Sequence, residues 1–240
     1  MSLDYCFQGV KTLWGSFEIK HTRLARIMIQ QVAAQSLFHN DKINENEEIE
    51  ESETDDQKSN LIIKEDVINQ AQKILQNSPI FFMDYFGSTP LETILESMHQ
   101  AVRDHQIQHI ILDNLQFMLS GQYSNGTFDK FDLTDRTVSA LRNFATNRNV
   151  HITLVIHPRK ELDDTPLGLA SVSGTAKATQ EADNVIILQK IGDSRYIDVK
   201  KNRFDGLIGS VPIKFDSNAR LILEAVAVAN KKAPEEKTDN

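Results

Sequence analysis

Several polar residues stand where apolar runs stop. Asp113 closes the run Ile107–Asp113 (IQHIILD) and is followed by Asn114. A short apolar run closed by a carboxylate reads as a buried parallel strand with a charge at its carboxyl edge, where open α/β sheets bind ligands. Such an acid can organise Mg²⁺ beside phosphates, or simply cap the next turn. Glu18 follows the run ending in Trp14-Gly15-Ser16-Phe17, and His157 follows Leu154-Val155-Ile156. Gln180 precedes another apolar run, and Lys200-Lys201-Asn202-Arg203 forms a basic cluster after it.

Each has a simpler alternative. Glu18 can be an acid favoured by a helix N-terminus. His157 can be an ordinary loop histidine before Pro158, and Gln180 a turn cap. Lys200, Lys201 and Arg203 can be a solvated edge. What these alternatives leave unexplained is that Glu18, Asp113 and His157 should share one edge of one sheet. A carboxylate that polarises water, an acid for Mg²⁺ and a polar sensor form a phosphate-cleaving set. An arginine on a hairpin can neutralise transition-state charge, often in a neighbouring subunit.

The elements that must position these groups alternate. Strands are expected at Gly9–Phe17, Ile80–Met83, Ile107–Asp113 and Val150–Ile156. Helices are expected at Leu24–Leu37, Val67–Leu75, from Pro90 through Val102, and at Thr134–Asn147. Loops are expected over Ser120–Asp132 and 159–178. Three short strands follow at Asn184–Leu188, Tyr196–Lys200 and Val211–Phe215, with a last one at Leu221–Leu223. The pattern predicts an α/β fold: a doubly wound, mostly parallel twisted sheet flanked by helices, with antiparallel C-terminal strands.

The net charge of −8 is misleading. Residues 45–56 (ENEEIEESETDD) hold eight acids and no base, and the remaining 26 acids face 26 bases. A nucleic-acid partner is therefore not excluded, because local patches govern phosphate contact. Asn40–Ser59 is expected to be a disordered acidic insert, and the end of the chain from Lys231 a disordered tail. One domain is expected over 1–225, with 226–240 as tail. No apolar run approaches the roughly 18 residues of a membrane span. The single Cys6 rules out an intramolecular disulfide and fits a reducing compartment. No targeting peptide is visible.

Six strings carry a specific resemblance: TLWGSFEI (12–19), RLARIMIQQ (23–31), IILDNLQFM (110–118), HITLVIHPRK (151–160), QEADNVIIL (180–188) and KNRFDG (201–206). They resemble the Twinkle family of mitochondrial replicative DNA helicases, relatives of phage helicase–primases and bacterial ring helicases. The resemblance runs in order from residue 5 to residue 216. It implies a RecA-like motor fold and ATP-dependent 5′–3′ unwinding of DNA, with ATP or another NTP and Mg²⁺ as cofactors. Single-stranded and forked DNA, a homo-oligomeric ring of six and the mitochondrial replication machinery are the implied partners. The mitochondrial matrix and its nucleoid are the implied location.

The resemblance also implies roles. Glu18 matches the glutamate that activates the attacking water, and Asp113 the acid that holds Mg²⁺. His157 matches the γ-phosphate sensor. Gln180 lies in a motif contacting DNA or the neighbouring subunit. Arg203 matches an arginine finger and Lys201 its partner. Phe215 matches an aromatic near the base. Loops about 119–132 and 159–179 would face DNA, with Arg159, Lys160 and Lys177 as cations, contacting backbone phosphates without base readout.

One departure matters. No Gly-x-x-x-x-Gly-Lys-[Ser/Thr] occurs in the sequence. The family's phosphate cradle would lie just upstream of the strand near Gly9, so the resemblance implies a truncated form, inactive as an isolated ATPase. Two other readings are a non-catalytic protein that caps or inserts into a full-length ring, and a recombinase or circadian-type ATPase. The strings WGSFEI and HPRK favour the Twinkle resemblance over the last of these.

Overall fold

Side chains alternate along the first strand, and the fold is built on that alternation. In the computed structural model, which describes residues 2–44, 65–122, 130–162, 165–172 and 176–225, β1 spans Thr12–Ser16. Leu13 enters one apolar cluster and Trp14 the other, so β1 is covered on both faces. β2 (Ile80–Phe82), β3 (His109–Asp113) and β4 (His151–Leu154) join it in the order β2-β1-β3-β4, all parallel.

α1 (Ser2–Phe7), α2 (His21–Asn44) and α3 (Glu65–Asn77) cover one face, where Met28, Val32, Ala33, Ala71 and Leu75 pack with Trp14, Ile80 and Phe82. α4 (Leu91–His105) and α6 (Lys130–Arg148) cover the other. There Ile94, Met98, Leu141 and Phe144 pack against Leu13, Ile110 and Leu112. A short α5 (Leu115–Leu119) follows β3 directly. Covering both faces is what lets a parallel sheet use near-continuous apolar runs such as Ile110-Ile111-Leu112.

α7 (Lys177–Glu181) leads into β5 (Asn184–Ile191), β6 (Ser194–Asn202), β7 (Gly209–Asp216) and β8 (Leu221–Glu224). These form a separate antiparallel sheet, β5-β6-β7-β8, rather than extending the parallel one. Its last turn is fastened to α2: Gln30 Nε2 donates to the Asn218 carbonyl and Gln31 Nε2 to the Arg220 carbonyl, each at 2.8 Å.

Several expected boundaries move. α2 continues to Asn44, so residues 40–44 of the expected acidic insert are helical; the rest, and the tail from 226, lie outside the described residues. α6 begins at Lys130, within the expected loop, and its inner face is extended by Leu133, packed against the core, and by buried Thr134 and Thr137. Pro90 is the N-cap of α4 rather than its first residue. Val150 and Val155-Ile156 flank β4 without joining it. Among the described residues no helix is long and apolar enough to cross a membrane.

The end of the parallel sheet away from the expected site holds buried His109. Its Nε2 pairs with Thr153 Oγ1 at 2.9 Å, and its ring meets Tyr5 edge-on at 5.0 Å. Burial first, then the neighbouring His151 and the N-terminal amine, pushes His109 down to about 4. The folded state thus binds fewer protons than the unfolded state between an ordinary histidine value near 6.5 and about 4. This stability is fully present above that window and is lost as pH falls through it. The melting temperature, followed by circular dichroism, is expected to drop across this window in the wild type and less in His109→Gln.

Candidate active site at the carboxyl edge of the parallel sheet

β1 and β3 are in register from Thr12↔His109 to Ser16↔Asp113, so both strands stop at the same level. Gly15 leaves room for side chains packed on this part of the sheet. A Cβ there would come within 3.0 Å of the Leu112 and Met83 side chains and 3.1 Å of Phe17. Beyond the strand ends, the Phe17 N–H donates to the Asp113 carbonyl at 2.7 Å and the Gly87 N–H to the Phe17 carbonyl at 2.8 Å. This turn delivers Glu18. On the other side, the Leu115 N–H donates to the Val155 carbonyl at 3.0 Å, which holds the approach to His157 against α5.

Asn114 joins the pieces. It is fully buried and caps α5, its Oδ1 accepting from the Phe117 N–H at 3.0 Å. Its Nδ2 donates to Glu18 Oε2 and lies 3.2 Å from His157 Nε2. Gln116 clamps the His157 backbone from both sides: its Oε1 accepts from the His157 N–H at 3.1 Å, and its Nε2 donates to the His157 carbonyl at 3.2 Å. Asp113 sits beside them. Burial raises its carboxyl above the usual range, the Glu18 charge raises it further, and His157 pulls it back.

A family described as "AAA domain" matches residues 4–163, two thirds of the chain and the whole of this edge. The chain belongs to the AAA domain family. One solved ATPase domain superposes with a TM-score of 0.68 at 15% sequence identity, over 92% of this chain and 76% of that one. A DnaB-like replicative helicase, solved for its interactions with primase, also gives 0.68, at 14% identity, over 92% of this chain and 53% of that one. This chain spans about half the length of that helicase. The fold is therefore that of RecA-like helicase ATPase domains, a parallel sheet flanked by helices with antiparallel strands following.

The second group of expected residues lies beyond the matched part of the AAA domain. Asp183, just after α7, accepts from Arg142 Nη1 and, at 3.0 Å, from Arg203 Nη1. The Arg203 Nη2 donates to the Gln180 carbonyl at 2.8 Å, and Lys201 Nζ to the Thr179 and Gln180 carbonyls at 2.8 and 3.0 Å. Gln180 thus takes part through its backbone. The Arg142 hydrogen bond, with Arg142, Arg203 and Lys201 as nearby charges, holds the Asp183 carboxyl below the usual range. Lys201 is lowered, by burial first and then by Arg203.

The structure gathers Glu18, Asp113 and His157 into one constellation, and Gln180, Lys201 and Arg203 into another. Phe215 joins neither through a hydrogen bond, ion pair or ring contact among the described residues. It lies on β7 opposite Ile222 and is 44% exposed. Lys177 pairs with Glu181 at 3.5 Å along α7. Arg159 and Lys160 sit in the exposed loop after His157, where the Arg159 N–H donates to the Ser171 carbonyl at 2.8 Å. Of the expected DNA loops, 123–129, 163–164 and 173–175 lie outside the described residues.

Sequence reasoning missed Asn114, Gln116, Arg142 and Asp183 as members of these groups. Only Asn114 carried a signal, since Asn is favoured at a helix N-cap. Its second job, reaching across to the turns after β1 and β4, depends on strands far apart in sequence.

The carboxylates fit a hard cation. Asp113 is raised by burial first and by the nearby Glu18 charge second, and a divalent ion would relieve that repulsion. Among the described residues no group of three His, Cys, Asp or Glu is arranged around a metal. The protein would supply Asp113, with water and phosphate completing the shell, as Mg²⁺ commonly requires. Because ionised Asp113 is disfavoured in the folded state, its penalty sets in as pH rises above the unfolded value near 3.9 and is complete above the raised folded value. Asp113→Asn is therefore expected to raise stability at neutral pH. A gain of about 1 kcal/mol appears as roughly 2–4 °C in Tm at this chain length. A calorimetric Tm below wild type would count against the repulsion.

Proposed function

We propose that this chain is the motor part of a ring-shaped replicative DNA helicase of the Twinkle type. The whole motor couples Mg²⁺-dependent NTP hydrolysis to 5′–3′ movement on single-stranded DNA in the mitochondrial nucleoid, and this chain supplies the part of it without the Gly-x-x-x-x-Gly-Lys-[Ser/Thr] cradle. The observation that carries the reading is the Glu18–Asn114–His157 constellation beside Asp113. It supports a base for water, a metal-holding acid and a phosphate sensor at one edge. Glu18 accepts the proton of the attacking water, Asp113 would hold Mg²⁺, and His157 donates to a phosphate oxygen. A bound Mg²⁺ would be held from Asp113 and would supply charge neutralisation at the phosphates. Arg159, Lys160 and Lys177 contact the DNA backbone. Lys201 and Arg203 serve the nucleotide of an adjacent subunit, after Arg203 leaves Asp183.

One observation favours a second reading, a non-catalytic partner of a complete ring. Both terminal nitrogens of Arg203 are engaged within its own chain. The purified chain separates the two. It is assayed for Mg²⁺-NTP hydrolysis with and without a single-stranded oligonucleotide, and for capture by a full-length ring helicase. Turnover that falls about 10²–10⁴-fold in Glu18→Gln supports the motor reading and overturns the expectation that the chain alone is inactive. Capture without turnover supports the partner reading. Turnover indifferent to Glu18→Gln overturns both the site and the motor.

A further inference from the structure

Among the described residues, Asn114 is the one fully buried polar side chain that touches both Glu18 and His157. Its orientation follows from its cap. The Phe117 N–H, at 3.0 Å, needs an acceptor, and only the amide oxygen can provide one. The amide nitrogen must then face the other way, with two protons and no lone pair to offer. One proton goes to Glu18 Oε2. The other points to His157 Nε2 at 3.2 Å. A donor cannot face a donor, so Nε2 has to be the bare nitrogen of the ring. His157 Nε2 also lies 3.6 Å from Glu18 Oε2, too far for a hydrogen bond that would draw a proton onto Nε2.

We infer that Asn114 is a positioning residue that fixes His157 as the Nδ1–H tautomer and leaves Glu18 Oε1 as the carboxylate oxygen free to take a proton. The inference deepens the proposed reaction by assigning its protons to atoms. His157 Nε2 has its lone pair occupied and cannot serve as a base. Its only ring proton, on Nδ1, has no partner among the described residues and is the one available to a phosphate oxygen. Glu18 has one oxygen held by Asn114 and one without a partner among the described residues, so the water-derived proton goes to Oε1. Gln116 supports the same assignment by fixing the His157 backbone on both sides, which keeps Nε2 turned to Asn114.

The test needs no turnover, so it fails separately from the motor reading. Long-range ¹⁵N–¹H correlation spectra of the imidazole are recorded on the full chain at mildly alkaline pH, assigned by loss of the signals in His157→Gln. The expected wild-type result is a bare Nε2 and a proton-bearing Nδ1. Asn114→Asp keeps an oxygen for the Phe117 cap and, once ionised at that pH, has no proton to donate. It is expected to move the ring proton onto Nε2 while the Phe117 amide stays protected from exchange. A proton-bearing Nε2 in the wild type overturns the proposal even if the variant does not fold. So does an unchanged tautomer in Asn114→Asp with the cap intact.

Discussion

Phe17→Ala is expected to lower stability by roughly 3–5 kcal/mol, the range for emptying a fully buried aromatic site. At this chain length that is a fall in Tm of roughly 6–20 °C. Phe17 has no exposed surface and belongs to the cluster with Leu13, Ile94, Met98 and Leu112. It is also the last fixed point before Glu18, bonded by its N–H to Asp113 and by its carbonyl to Gly87. The ring holds the turn that aims Glu18 at Asn114, so the variant should also lose exchange protection at the Phe17 and Gly87 amides. Phe86, 57% exposed at the same edge, is the control. If Phe86→Ala melted as low as Phe17→Ala, burial would not be what holds the turn.

The second large effect is expected at Lys200. Asp198 is 3% exposed, and Lys200 Nζ lies 3.1 Å from its carboxylate. Burial works to raise the Asp198 carboxyl, but hydrogen bonds from Ser210 and Lys200 and the Lys200 charge outweigh it and hold it below the usual range. Gln189 also donates to Asp198, and its Oε1 accepts from the Leu167 N–H at 2.8 Å, tying the loop after β4 to the antiparallel sheet. Lys200→Met removes the neutralising charge and leaves the buried carboxylate only its Gln189 and Ser210 hydrogen bonds, which is expected to cost about 1.5–3 kcal/mol, whereas replacing both partners, Lys200→Met with Asp198→Leu, should recover most of it. Denaturant midpoints of the two variants check this. A single variant as stable as the double one would remove the ion pair from the account. A depressed carboxyl adds stability above its unfolded value and loses it as pH falls through the folded one. The wild type should therefore weaken more than the double variant in acid.

Much of the parallel sheet was legible in the sequence because each strand is a local apolar run stopped by a polar residue. IIL before Asp113 and LVI before His157 need no partner to be recognised. The helices between them follow from apolar spacing. Boundaries were less legible. α2 runs to Asn44 through residues whose composition argued for disorder, because helix propagation adds one backbone bond per residue once a packed stem exists. The separation of the C-terminal strands into their own sheet had no local signal. The contact that fastens this sheet to the rest, Gln30 and Gln31 reaching the turn at Asn218 and Arg220, spans close to two hundred residues.

The site divides in the same way. Sequence alone determined that Glu18, Asp113 and His157 follow or end successive apolar runs, since a run and its stop are contiguous. It also determined that Lys201 and Arg203 leave the same strand together, two residues apart. Only the tertiary structure decided that Asn114 faces both Glu18 and His157, and that Asp183 takes Arg203 and Arg142 together. The reason is physical. A hydrogen bond requires two atoms within about 3 Å at a suitable angle, and here those atoms come from strands and helices whose spacing is set by the packing of the whole sheet.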